Sequence, residues 1–171
     1  MTLRDDLAAI VGSDPTVDLD ALVADEQWRY RLYLDALAGA GPEREPDLVA
    51  RVQRDPDRIM AESVLLTHVD SRAAQLREPA EFTAWATATI TGSVDEASFL
   101  ARRVREWQLF QQVSGGGPVD PADLAAASNW LQRKVVEESD SVPALTAMGA
   151  AGRTKRVRNL ARTRAGRLSR S

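Results

Sequence analysis

The sequence contains no cysteine, one histidine and two lysines among 171 residues. Without thiols there are no disulfides, no thiolate nucleophile and no thiolate-ligated zinc or iron–sulfur centre. A single histidine, His68, leaves metal chemistry short of ligands, since a protein-held metal takes about three or more donors. His68 follows Val64 and Leu65 by one helical turn, with Asp70 and Arg72 nearby. A His–Asp general base is conceivable there, but a structural histidine, half-buried or at the surface, is the expectation.

Nucleophile-elbow Gly-x-Ser-x-Gly spacing is also missing, so serine-hydrolase chemistry has no anchor. The glycines of residues 114–118 lack the Gly-Lys-Ser/Thr of a phosphate cradle and read as a flexible connector. No catalytic residue, metal or cofactor is expected. No apolar run approaches the roughly 18 residues of a membrane span. Asp5 and Asp6 stand where a secretory signal needs a basic and then an apolar stretch. A soluble cytoplasmic protein without membrane contact is expected.

What is present is ordinary globular material, with 44% hydrophobic and 27% charged residues. The length suits one domain, or one domain with an extension. Acidic residues are missing from one stretch. Residues 150–171 carry Arg153, Lys155, Arg156, Arg158, Arg162, Arg164, Arg167 and Arg170 and no Asp or Glu, while the rest of the chain has a net charge of about −11. The sequence divides accordingly into an acidic body, residues 1–152, with a possible break at 114–118, and a basic C-terminal helix or extension, residues 153–171.

The alternation that marks β-strands is absent, and Ala, Leu, Arg and Glu dominate, which predicts an all-α fold. Asp18 or Asp25 caps a segment whose apolar positions run from Leu19 to Leu37 and which ends at Gly39 to Gly41. Pro46 opens a short helix with Leu48, Val49 and Val52 inward. Asp55-Pro56-Asp57 then turns the chain into a helix from about Arg58 to Asp70, and Pro79 opens another.

Ser93 and Glu96 have capping-box spacing before a stripe of Ala97, Leu100, Val104 and Trp107. Asp120 and Pro121 start a helix burying Leu124, Ala127, Leu131 and Val135. A short helix over about 142–150 and the basic segment close the chain. Eight or nine helices follow from this pattern. Trp28, Trp85, Trp107 and Trp130, one per region, read as core anchors.

A helix–turn–helix grammar occurs twice. Pro46-Asp47-Leu48 leads through Asp55-Pro56-Asp57 to Arg58 and Val64, and Pro143-Ala144-Leu145 leads through Gly152-Arg153-Thr154 to Val157 and Leu160. At an offset of ninety-seven residues Leu48 meets Leu145 and Met60 meets Val157. Short antiparallel pairs of this kind resemble HEAT-type helical repeats. The resemblance implies a short stack of helix pairs with a concave surface for a partner. An irregular orthogonal helical bundle is the alternative.

The run Glu137, Glu138, Ser139 and Asp140 lies where the helix macrodipole disfavours negative charge. An ionic contact with the arginine-rich helix two elements later is expected, with a divalent cation or a solvated edge as the other readings. On a helical wheel, Val157, Leu160, Ala161 and Leu168 of the basic segment share one side. Lys155, Arg158 and Arg162 share the other, with Arg156 and Arg167 flanking.

An apolar stripe for docking and a cationic ridge for an anion follow. The candidate anion- or partner-binding residues are Lys155, Arg156, Arg158, Arg162 and Arg167. The expected function is a non-enzymatic interaction or adaptor protein that recognises a protein partner by shape and charge. The alternative is a nucleic-acid-binding accessory protein whose C-terminal ridge grips phosphates. Self-neutralising charge is the bland reading of the same residues.

Overall fold

The computed structural model describes residues 2–12 and 16–170, apart from the side chain of Ser93. It is all-helical among these residues, as composition and periodicity predict. Eleven α-helices follow one another: α1 (Leu3–Val11), α2 (Leu19–Ala24), α3 (Glu26–Ala38), α4 (Glu45–Gln53), α5 (Arg58–Gln75), α6 (Pro79–Thr89), α7 (Phe99–Ser114), α8 (Pro121–Ala126), α9 (Asn129–Glu138), α10 (Val142–Ala151) and α11 (Lys155–Leu168). They form two compact units. The first comprises residues 1–75 and 84–103, the second residues 76–83 and 104–171.

Local capping chemistry explains the departures from the expected boundaries. Asp18 and Asp25 both cap: Asp18 accepts from the Asp20 and Ala21 N–H groups, and Asp25 from those of Gln27 and Trp28. Extended backbone at Asp25 therefore splits one expected helix into α2 and α3. Extended Ala127, followed by Ser128 accepting the Leu131 N–H, likewise separates α8 from α9.

α7 starts later than the Ser93–Glu96 spacing suggests. Thr91–Ser93 forms a 3-10 turn, Asp95 accepts the Ala97 N–H, and Ser98 accepts the Ala101 N–H as the cap. The Ser93 side chain, on which the capping-box expectation rests, lies outside the described residues. α1, not foreseen, is closed by a reciprocal capping box between Thr2 and Asp5.

In the first unit the interior holds Leu7, Tyr33, Leu37, Val49, Val52, Val64 and Val69. Three buried carboxylates, Asp6, Asp55 and Glu45, are bound into it by arginines. Asp6 of α1 receives Arg51 of α4 and Arg54, the residue that caps the end of α4, at 3.0 and 2.7 Å. Asp55, in the turn between α4 and α5, receives Arg29 Nε at 2.9 Å, the Tyr33 hydroxyl at 2.8 Å and the Asp57 backbone N–H. Arg29 Nη1 also donates to the Leu22 and Val23 carbonyls and so closes the end of α2. One guanidinium of α3 thereby ties the end of α2 to the carboxylate in the α4–α5 turn.

The second unit buries Val113, Leu124, Leu131, Val135, Leu145, Met148, Val157 and Ala161. Trp107 joins Phe110 and Trp130 in edge-on contacts, with ring centroids 5.7 and 5.4 Å apart. The Lys134 ammonium sits 4.4 Å from the Trp107 ring centre and 4.7 Å from that of Phe110. Glu138 accepts from the same ammonium at 2.7 Å. Trp107 is thus a core anchor, but Trp28 is not. It stands 55% exposed on α3, whose inward stripe is Arg29, Tyr33 and Leu37.

The two similar helix pairs, α4–α5 and α10–α11, share a capping detail. Asp57 accepts the Met60 N–H and Thr154 accepts the Val157 N–H, each a cap side chain closing the third helical residue. Both Met60 and Val157 point inward.

Candidate interaction surfaces

The basic segment is a helix fixed on one side. Thr154 caps α11, and Val157 and Ala161 bury into the core of the second unit. Two glycines allow the close approach of α10. A Cβ at Gly149 would stand 2.9 Å from Arg162 Cγ, and one at Gly152 would stand 2.6 Å from the Met148 carbonyl oxygen and 2.7 Å from Val157 Cγ1. The stem of Arg162 thus lies along Gly149, and the residue stays exposed.

The arginines of α11 separate into two kinds. Arg164 turns inward, donating to the Val136 carbonyl at 3.0 Å and to Asp140 at 2.7 Å. The expected ionic contact between the acidic run and the basic helix therefore exists, and it neutralises a carboxylate just past the C-terminal end of α9. Arg158 is half-buried, and its Nη1 returns to the Gly152 carbonyl at 2.6 Å. Arg167 lies exposed in the last turn of α11, where a cation suits the macrodipole.

Lys155, Arg156 and Arg162 are exposed, and among the described residues none of them forms an ion pair. Lys155 and Arg162 stand two turns apart, about 10 Å along the axis. Of the five candidate residues these three make the outward ridge, while Arg158 is engaged as a cap.

In the first unit His68 is 5% exposed and bonded to Glu45 of α4 rather than to Asp70. Its Nε2 lies 2.5 Å from Glu45 Oε1, and Arg72 adds a two-pronged contact at 2.8 and 2.6 Å. Burial alone would raise the Glu45 pKa. The Arg72 and His68 hydrogen bonds, with the Trp85 indole, outweigh it and hold the carboxyl down at about 2. His68 packs edge-on to Trp85, with centroids 5.7 Å apart, and Asp70 pairs with Arg103 instead. A carboxylate without exposure and fully engaged by donors is a structural knot, with no acceptor left to face a substrate.

An open groove of about 610 Å³ runs between α3 and α5, lined by Glu26, Tyr30, Asp57, Ile59 and Met60 among others. Ile59 is 81% exposed. The Glu26 and Asp57 carboxyls hydrogen-bond to each other, which raises the Glu26 pKa; the Met60 N–H and then Glu26 lower that of Asp57. Neither carboxyl forms an ion pair among the described residues.

Among the described residues no group of three or more His, Asp or Glu side chains is placed to hold a metal ion. No described helix is long and apolar enough to cross a membrane. Comparison with protein-family models, with curated proteins and with solved structures gives no match.

The sequence pattern identified the α11 ridge but missed the Glu45 cluster and the groove. Glu45 lies twenty-three residues from His68, and no local spacing joins them. The Lys134 cage had a readable trace: Trp130, Lys134 and Glu138 follow one another at four-residue intervals, which puts them on one helix face.

Proposed function

We propose that this is a non-enzymatic, helical interaction protein whose outward face of α11 recognises an acidic surface on a protein partner. The observation that carries the reading is the set of exposed cations Lys155, Arg156 and Arg162, unpaired among the described residues, on a helix whose opposite side is packed into a core. A packed helix presents its charges with little ordering cost on binding. Self-neutralisation accounts for Arg164 but leaves these three without a carboxylate. The HEAT-like stacking of helix pairs belongs to the same proposal, supported by the shared capping of α5 and α11.

Three features favour a protein over a nucleic acid. α11 carries no aromatic side chain on which bases could stack. Among the described residues the outward face of α11 offers the exposed cations Lys155, Arg156 and Arg162, where tight phosphate binding draws on about 6–10 contacts. A duplex is also a continuous polyanion, and its flanks would meet a chain whose remaining residues are strongly acidic.

The experiment is fluorescence anisotropy with labelled polyglutamate, duplex DNA and structured RNA across a salt series. The protein is compared with its Lys155→Gln/Arg156→Gln/Arg162→Gln variant. Salt-sensitive binding of polyglutamate that the variant loses supports the reading. Binding that the variant keeps contradicts it, and binding confined to DNA or RNA replaces it with the nucleic-acid alternative.

A further inference from the structure

The two lysines of the chain, Lys134 and Lys155, meet opposite surroundings. Lys134 is enclosed. Its side chain is 15% exposed, and its ammonium donates to Glu138 at 2.7 Å. The ring centres of Trp107, Phe110 and Trp130 lie 4.4, 4.7 and 6.0 Å from the same nitrogen. Lys155 is the first residue of α11, is exposed, and forms no hydrogen bond or ion pair through its side chain among the described residues.

The difference is chemical as well as steric. A guanidinium keeps its proton in a protein, whereas a lysine amine that sheds its proton is a nucleophile. Of the exposed ridge cations Lys155, Arg156 and Arg162, only Lys155 therefore offers a nitrogen open to acylation. At Lys134 the ring faces and the Glu138 carboxylate occupy the approaches to the nitrogen.

The charges around Lys155 also select the donor. Lys155 and Arg156 open α11, whose first turn holds no acidic residue, and Arg153 lies exposed just before it. A local positive field draws an anionic reagent, and the guanidinium of Arg156 suits a departing phosphate. The carboxylate bonded to Lys134 repels the same reagent.

We propose that Lys155 is an acylation site that takes the acyl group of an acyl phosphate, and that this modification weakens the α11 ridge. The neutral Nζ attacks the acyl carbonyl carbon. A C–N amide bond forms as the C–O bond to phosphate breaks, the phosphate leaves with that electron pair, and the amine proton passes to water. The side chain goes from a single positive charge to none. The proposal rests on the reading of the ridge as a recognition surface and adds its regulation: one of the three outward cations is removable and the two arginines are not.

The change leaves the helix in place. A cation in the first turn opposes the macrodipole, so losing it does not weaken α11. Val157 and Ala161 still anchor the opposite side in the core of the second unit.

The test treats the full chain and its Lys155→Arg variant with acetyl phosphate, removes the reagent, and follows peptide mass spectrometry and polyglutamate anisotropy. The expected result is acetylation of Lys155 several-fold faster than of Lys134 in the folded chain, and equal rates for the two in urea. Wild type acetylated at Lys155 should bind polyglutamate about two- to fivefold more weakly, the equivalent of one exposed ion pair. Lys155→Arg keeps the charge without the nucleophile, so its binding should survive the treatment.

Equal rates at the two lysines in the folded chain overturn the site, and so does a preference that persists in urea. Undiminished binding by wild type acetylated at Lys155 overturns the switch, as does weakened binding by the treated Lys155→Arg variant. An untreated wild type that binds no polyglutamate removes the ridge reading and the switch with it, whereas the order of acetylation is read without any ligand.

Discussion

Gln132 and Arg153 meet through one hydrogen bond: Oε1 of the buried glutamine accepts the backbone N–H of the first cation in the basic segment at 2.8 Å. The same side chain donates from Nε2 to the Leu124 and Ala125 carbonyls at 2.8 and 3.0 Å. One fully buried amide therefore closes the end of α8 and fixes the turn that aims α11. The direction of the ridge is set from inside the core.

Replacing Gln132 with Ala leaves two carbonyls and one N–H without that partner in the interior of the second unit. Each buried group so orphaned costs about 1–3 kcal/mol, and a cavity adds to it. Urea denaturation should show a loss of at least ~2 kcal/mol, and amide exchange should accelerate in α11 before it does in α5. A variant as stable as the parent would mean that water replaces the amide without penalty.

Acid stability should carry the signature of Glu45. Its carboxyl is held at about 2 in the folded chain against 4.5 for the free group. A depressed acid contributes stability that is complete above the unfolded value and is lost as pH falls through the folded one. The gap corresponds to ~3 kcal/mol. Unfolding free energies of the wild type and Glu45→Gln, from urea denaturation, should differ by roughly that amount at neutral pH. The difference should narrow as pH falls from about 5 towards 2. A difference that does not change across this range would show that the carboxylate's charge plays no part.

Lys134 tests whether the cage of aromatic rings holds a charge or only a hydrocarbon stem. Lys134→Met keeps the stem against Trp107 and Phe110 but removes the ammonium, which stands 4.4 Å from one ring centre and 2.7 Å from a Glu138 oxygen. The expected cost is about 1–2 kcal/mol, with Lys134→Ala losing more through lost packing. Thermal unfolding of the pair decides it. A methionine variant at least as stable as the parent would assign the whole effect to packing.

The fold class was legible in the sequence because helix signals are local: Asp18, Asp25, Asp120 and Pro121 each announce a helix start within a few residues. The splits at Asp25 and Ala127 were not, since an extended residue inside a helical pattern leaves the apolar spacing almost unchanged. On α11 the wheel placed Lys155, Arg162 and the Val157–Ala161 stripe on the sides they occupy. It also set Arg158 among the outward cations, although that side chain curls back to the Gly152 carbonyl. Periodicity gives the side from which a residue leaves the helix, but a long side chain chooses its own acceptor. The Glu45–His68–Arg72 knot and the α3–α5 groove arise from residues far apart in sequence, whose meeting depends on tertiary packing.

The central claim is that the outward face of α11 is the recognition surface. Its most direct test is a residue-resolved NMR titration of the full chain with polyglutamate. Amide shifts should be confined to Lys155, Arg156, Asn159, Arg162 and Thr163 and vanish at high salt. Shifts centred elsewhere, or none at low salt, would contradict it.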